Sequence, residues 1–115
     1  MDSPFDPVTI SIDEVLKISA PSTYLVRCHG DSMTGVGIHC GDLLVVDRSI
    51  DATVGRVVIG VVNSEPMVKL LDRQGGMYIL RSSNPAFPNR YVLEGDEFSV
   101  WGVVAHSIRA HERQP

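Results

Sequence analysis

Apolar side chains along this chain gather in short runs separated by glycine, proline and asparagine, and the spacing within each run indicates what it forms. Ser11-Ile12-Asp13-Glu14 matches a capping box, in which a serine hydroxyl takes a backbone amide of the first helical turn. Ile12, Val15, Leu16 and Ile18 follow at helical spacing, so a short helix is expected there, ending before Pro21. Beyond Pro21 the pattern changes to β-rich runs: Tyr24 to Cys28, Leu43 to Asp47, Val57 to Val62, Met67 to Leu71, Met77 to Arg81, Tyr91 to Glu94 and Phe98 to Ile108. Turn signals such as Cys40-Gly41-Asp42, Gly75-Gly76, Asn84-Pro85 and Gly95-Asp96 separate them at the spacing of a small sheet or barrel.

The run Val57-Val58-Ile59-Gly60-Val61-Val62 is continuously apolar, which marks a central strand buried on both faces, with Gly60 admitting a close neighbour. The expected fold is mainly β: a small, folded-over antiparallel sheet or barrel with a short N-terminal helix. Residues 1–10 carry Pro4 and Pro7 without a helical period and are expected to be an extended arm, the remnant of a longer leader. Residues 11–115 form the domain. At 115 residues there is room for one hydrophobic core and not for two ordinary domains.

Composition narrows the function. Hydrophobic residues make up 43% and charged residues 21%, the balance of a globular protein. A formal charge of −4 argues against direct binding of nucleic acid phosphates, and Arg48, Arg56, Arg73, Arg81 and Arg90 lack the aromatic interleaving of a single-strand groove. No stretch approaches the roughly 20 apolar residues of a membrane span, and the N-terminus has no signal-like core, so a cytoplasmic protein is expected. The cysteines, Cys28 and Cys40, are too few for a disulfide framework, and Cys28-His29 with His39-Cys40 matches no common zinc spacing. Free thiols and no metal or cofactor are expected. His106 and Trp101 are assigned to the sheet, Trp101 to its core or a dimer interface.

Candidate chemistry lies in Gly30-Asp31-Ser32-Met33, where a strand runs into a glycine turn and presents a serine beyond it. Taken alone, Ser32 could simply cap a turn. Lys69 adds weight, because it interrupts the apolar run Pro66-Met67-Val68-Lys69-Leu70-Leu71. Met67, Lys69 and Leu71 share one strand face and Val68 and Leu70 the other, so apolar side chains flank the lysine. A solvent-facing Lys69 fits the alternation too. If Lys69 is buried, desolvation disfavours its ammonium and leaves a neutral amine able to take the proton of Ser32.

These segments resemble the LexA and UmuD family of self-cleaving Ser/Lys peptidases. The resemblance runs from Ser3-Pro4 to Ile108 and rests on Gly30-Asp31-Ser32-Met33, on Gly41-Asp42-Leu43-Leu44-Val45-Val46-Asp47, and on Lys69 at the family's distance beyond the serine. It implies Ser32 as nucleophile, Lys69 as general base, and the backbone amides of Asp31 and Ser32 as the oxyanion hole. One departure stands out. The family often places a threonine two residues before the lysine, where its hydroxyl can orient the amine, and here that residue is Met67. Slower cleavage, or another donor in its place, is expected.

Within the family, Val100 to Ile108 and Ser83-Asn84-Pro85 resemble UmuD and its plasmid-borne relatives, accessory subunits of the error-prone DNA polymerase V of the SOS response. That likeness implies a homodimer joined through the C-terminal strand region. It also implies binding to a Y-family polymerase subunit and to the RecA filament, with no sequence-specific DNA binding and no membrane. The family cuts an Ala-Gly or Cys-Gly bond in its arm; residues 1–29 hold no glycine, and Cys40-Gly41 sits in a turn, so a processed form is expected. The alternatives are the peptidase domain of a LexA-type or prophage repressor, and a β domain that keeps the fold for binding alone. Signal peptidases share the serine and lysine logic but carry a membrane anchor.

Overall fold

The computed structural model describes residues 5–112. Residues 5–10 have no regular secondary structure and are exposed. Ser11 then caps helix α1, Ile12–Leu16, its hydroxyl accepting from the Glu14 amide at 3.2 Å. Lys17 closes the helix in the left-handed conformation. The capping box works as expected, but Ile12 and Val15 remain exposed, so the apolar side of this five-residue helix is not packed into the body.

The body is one sheet of seven strands: β1 Thr23–Arg27, β2 Leu43–Asp47, β3 Val57–Val62, β4 Glu65–Gln74, β5 Met77–Arg81, β6 Arg90–Tyr91 and β7 Phe98–Ile108. They run in the order β1-β2-β7-β3-β4-β5-β6 and every pairing is antiparallel. The mainly β, folded-over sheet with one short helix is the architecture expected. β2, β3, β5 and β7 keep their expected bounds. β1 is shifted by one residue, β4 is longer and β6 shorter than the sequence pattern indicates.

Alternation along the strands divides the core in two. Val68 and Leu70 of β4 pack on a cluster built from Cys28, Met33, Ile38, Leu44, Val46 and Ile59. Met67 and Leu71, on the opposite face, pack with Val58, Val62, Leu80 and Val103. β3 occupies the middle of the sheet, as its continuous apolar run requires, and a Cβ on Gly60 would lie 2.9 Å from a methyl of Leu80. β7 lies inside the sheet as well, paired on one edge with β2 and on the other with β3. Its apolar run is thus explained by burial up to Val104, while Ala105 to Ile108 are exposed.

Of the five arginines, Arg48, Arg56 and Arg73 are exposed and Arg81 and Arg90 half-buried. Arg48 lies over Trp101, 4.8 Å from the ring centroid, and donates to the Trp101 carbonyl; Arg81 pairs with Asp72 and Arg90 with Asp96. Trp101 itself is half-buried, edge-on to Tyr24. Cys28 is buried and Cys40 exposed, both as free thiols. Among the described residues no helix is long and apolar enough to cross a membrane.

Candidate functional site

Ser32 lies in the connection between β1 and β2, after Gly30 turns the chain with a positive φ of 87°. Below it, Met33 and Ile38 are buried in the first cluster, so the turn is anchored from beneath by apolar side chains. From the side it is anchored by backbone and amide bonds to the segment leaving β5. The Ser83 amide donates to the Ser32 carbonyl at 2.7 Å, the Gly35 amide donates to the Ser83 carbonyl at 2.7 Å, and Asn84 Nδ2 donates to the Asp31 carbonyl at 2.8 Å. Gly35 makes this approach possible, since a Cβ there would collide with the hydroxyl and carbonyl of Ser83.

Lys69 comes from β4, where it pairs in register with Val58 of β3. It is half-buried, and burial lowers its pKa from the ordinary lysine value. Its ammonium or amine nitrogen donates to Ser82 Oγ at 2.7 Å. Ser82 in turn donates to the Pro88 carbonyl at 2.9 Å, and its amide donates to Asn89 Oδ1 at 3.0 Å. Ser32, from the β1–β2 connection, and Lys69, from β4, therefore converge on the consecutive residues Ser82 and Ser83. Among the described residues, the lysine's hydrogen bond goes to Ser82, and none joins it to Ser32 Oγ.

Among the described residues, the amides of Asp31 and Ser32 donate to no protein acceptor. The Asp31 carboxylate is turned away and accepts from the Cys40 amide at 3.2 Å. Asp42, at the foot of the same connection, is buried and holds Arg109 through both carboxylate oxygens at 2.8 Å. The Arg109 guanidinium, first among several causes, brings the Asp42 pKa down to about 2. This pair ties the serine connection to the chain beyond β7.

The sequence points to Ser32, Lys69 and Asp31 but gives no role to Ser82, and Ser83-Asn84-Pro85 enters only as a turn signal and a point of resemblance. The available signal was compositional: an apolar strand, Met77–Arg81, gives way to Ser82-Ser83-Asn84, hydroxyls and an amide where a plain turn needs only one of them.

The chain is 41% identical to the LexA repressor of Cupriavidus taiwanensis over 87 residues, which is 76% of this chain and 40% of that protein. It is 36% identical to the LexA repressor of Bordetella avium over 102 residues, 89% of this chain and 47% of that one. It is 37% identical to protein MucA of Escherichia coli over 91 residues, 78% of this chain and 62% of that protein. The chain thus spans roughly half the length of these relatives. Residues 3–105 match the Peptidase S24-like family, and with relatives at this level of identity the chain belongs to that family of self-cleaving serine peptidases.

Proposed function

We propose that the chain is a Ser/Lys peptidase domain in which Ser32 attacks a peptide carbonyl and Lys69 takes and returns the proton. The observation that carries this reading is the convergence of the Ser32 turn and the half-buried Lys69 amine on Ser82 and Ser83. Neutral Lys69 removes the hydroxyl proton as the Ser32 Oγ–carbon bond forms. The oxyanion of the tetrahedral intermediate is held by the amides of Asp31 and Ser32. The lysine ammonium then protonates the leaving amine, the peptide C–N bond breaks, and water hydrolyses the acyl-serine by the same route. Depression of the Lys69 pKa by burial raises the share of neutral base at a given pH.

In the cell we assign it to the SOS response as a UmuD-like accessory subunit of error-prone polymerase V. On this reading residues 1–10 are an arm and residues 11–115 the working domain. It dimerises, binds a Y-family polymerase subunit and the RecA filament, and needs no cofactor. The match to MucA, a UmuD-like protein, and the net charge of −4 support protein partners over DNA. The exposed end of β7, Ala105 to Ile108, is the part of the C-terminal strand still available for self-association. The second reading, the peptidase domain of a LexA-type repressor, is favoured by 41% identity to the Cupriavidus taiwanensis protein.

A fluorophosphonate reagent tests the chemistry, since it forms a bond from Ser32 Oγ to phosphorus and expels fluoride only if the hydroxyl proton is removed. Labelling should rise with pH to a plateau and vanish in Ser32→Ala; Lys69→Ala should lower it about 100-fold or more. Parent-like labelling of Lys69→Ala would remove the lysine from the mechanism. For the cellular role, a purified Y-family polymerase subunit should retain this chain on a column at physiological salt, and capture by a LexA-type DNA-binding domain in its place would favour the second reading.

A further inference from the structure

We propose that Ser82 is the positioning residue for Lys69, holding its nitrogen so that the lone pair is left for Ser32. The inference rests on the Ser/Lys reading above and adds the group that aims the base.

A hydroxyl beside a neutral amine can help it or disable it. If the hydroxyl donates, its proton occupies the nitrogen lone pair and the amine is no longer a base. If the hydroxyl accepts, it takes an N–H and leaves the lone pair open. The Ser82 hydroxyl has one proton, and that proton is directed to the Pro88 carbonyl at 2.9 Å. Toward Lys69, 2.7 Å away, Ser82 Oγ is left with lone pairs only. The Pro88 carbonyl thereby fixes the sense of the Lys69–Ser82 bond.

The support for Ser82 is itself anchored. Its amide is held by Asn89 Oδ1 at 3.0 Å, and the next residue, Ser83, grips the Ser32 carbonyl and the Gly35 amide. One short segment thus orients the base through a side chain and the nucleophile through the backbone. Met67, which precedes Lys69 on the same strand face, offers no hydroxyl and packs into the second apolar cluster. The hydroxyl reaches the amine from the neighbouring hairpin strand's exit instead.

The test uses the full chain, its Ser82→Ala, Ser82→Thr and Ser82→Cys variants, and the Ser82→Ala/Met67→Thr pair. Fluorophosphonate labelling of Ser32 is followed against pH, and the Lys69 side-chain nitrogen is titrated by NMR. Ser82→Ala should lower the labelling plateau by roughly 10- to 100-fold, the scale of a misaimed reacting group. It should also move the Lys69 inflection to lower pH, because an acceptor that favours the ammonium is gone. Ser82→Thr keeps the hydroxyl and should retain the parent rate, Ser82→Cys keeps the bulk with a weaker acceptor and should fall between, and Met67→Thr should recover part of the loss by supplying a hydroxyl from β4.

A parent-like plateau and inflection in Ser82→Ala, with Lys69→Ala inactive, would overturn the role of Ser82 and leave the Ser/Lys reading standing. If no form labels at all, the Ser/Lys reading fails, and the NMR titration still decides: an inflection that moves down in Ser82→Ala supports the hydrogen bond, and an unmoved one overturns it. Should Ser82→Ala fold poorly, Ser82→Cys carries the same comparison with the side-chain volume retained.

Discussion

The connection that carries Ser32 and the segment that precedes β1 are both mostly irregular chain outside the sheet, and they are held in opposite ways. The N-terminal segment is rich in large apolar residues, yet Phe5, Val8, Ile12 and Val15 are exposed, and α1 is kept by its own cap. The serine connection has its apolar residues Met33 and Ile38 buried and is clamped by bonds to residues far along the chain: Ser83, Asn84 and Arg109. Apolar content alone does not produce order. Burial against a finished sheet, with long-range polar bonds to fix the register, does.

Four substitutions would break or sharpen that contrast. Leu44→Ala removes a fully buried side chain beneath the serine connection and should cost about 2–5 kcal/mol, read from the urea midpoint. Gly35→Ala drives a methyl into Ser83 and should cost about 1–3 kcal/mol while slowing Ser32 labelling disproportionately, because it pushes apart the segments that hold nucleophile and base.

Arg109→Ala leaves the buried Asp42 carboxylate without its partner and should cost about 1–2 kcal/mol at pH 7, the guanidinium being partly exposed. The sign with pH follows from the depressed values of Asp42 and Asp96, each at about 2, the latter lowered first by the Leu93 amide. Their contribution is complete above the unfolded carboxylate value near about 4 and is lost as pH falls through about 2. In Arg109→Ala the folded Asp42 value rises toward the unfolded one, so stability should fall less steeply between about pH 4 and about pH 2 than in the parent. Ile12→Ser, on the unclamped side, should change the urea midpoint by less than about 0.5 kcal/mol. A large loss there would mean that α1 is docked in solution.

The strands were legible where apolar period and burial coincide, as in β3, which both faces of the core need. They were less legible where other bonds decide the ends. β4 extends to Gln74 because Asp72, Arg73 and Gln74 pair with β5 all the way to the Gly75-Gly76 turn, although none is apolar. β6 stops at Tyr91 because Asp96 draws the Leu93 amide into a turn at 2.8 Å. The interior position of β7 could not be read from its own residues, since strand order depends on what pairs with what. For the proposed site, Ser32 and Lys69 could be singled out because a serine after a glycine turn and a lysine in an apolar strand are each locally anomalous. Ser82 was not, because a serine after a strand is ordinary and only its distance to Lys69 gives it meaning.

The strand order has a further consequence for timing. The β1-β2 hairpin carries Ser32 and the β3 to β6 meander carries Lys69 and Ser82, and what joins the two is β7, the last strand in the chain. As the polypeptide emerges from the ribosome, both residues of the proposed pair appear well before the strand that joins their two parts of the sheet. A nascent chain ending before Phe98 holds every atom of the proposed peptidase centre but lacks the strand that pairs with both β2 and β3. On the proposed reading, completion of translation then acts as a safety catch on cleavage.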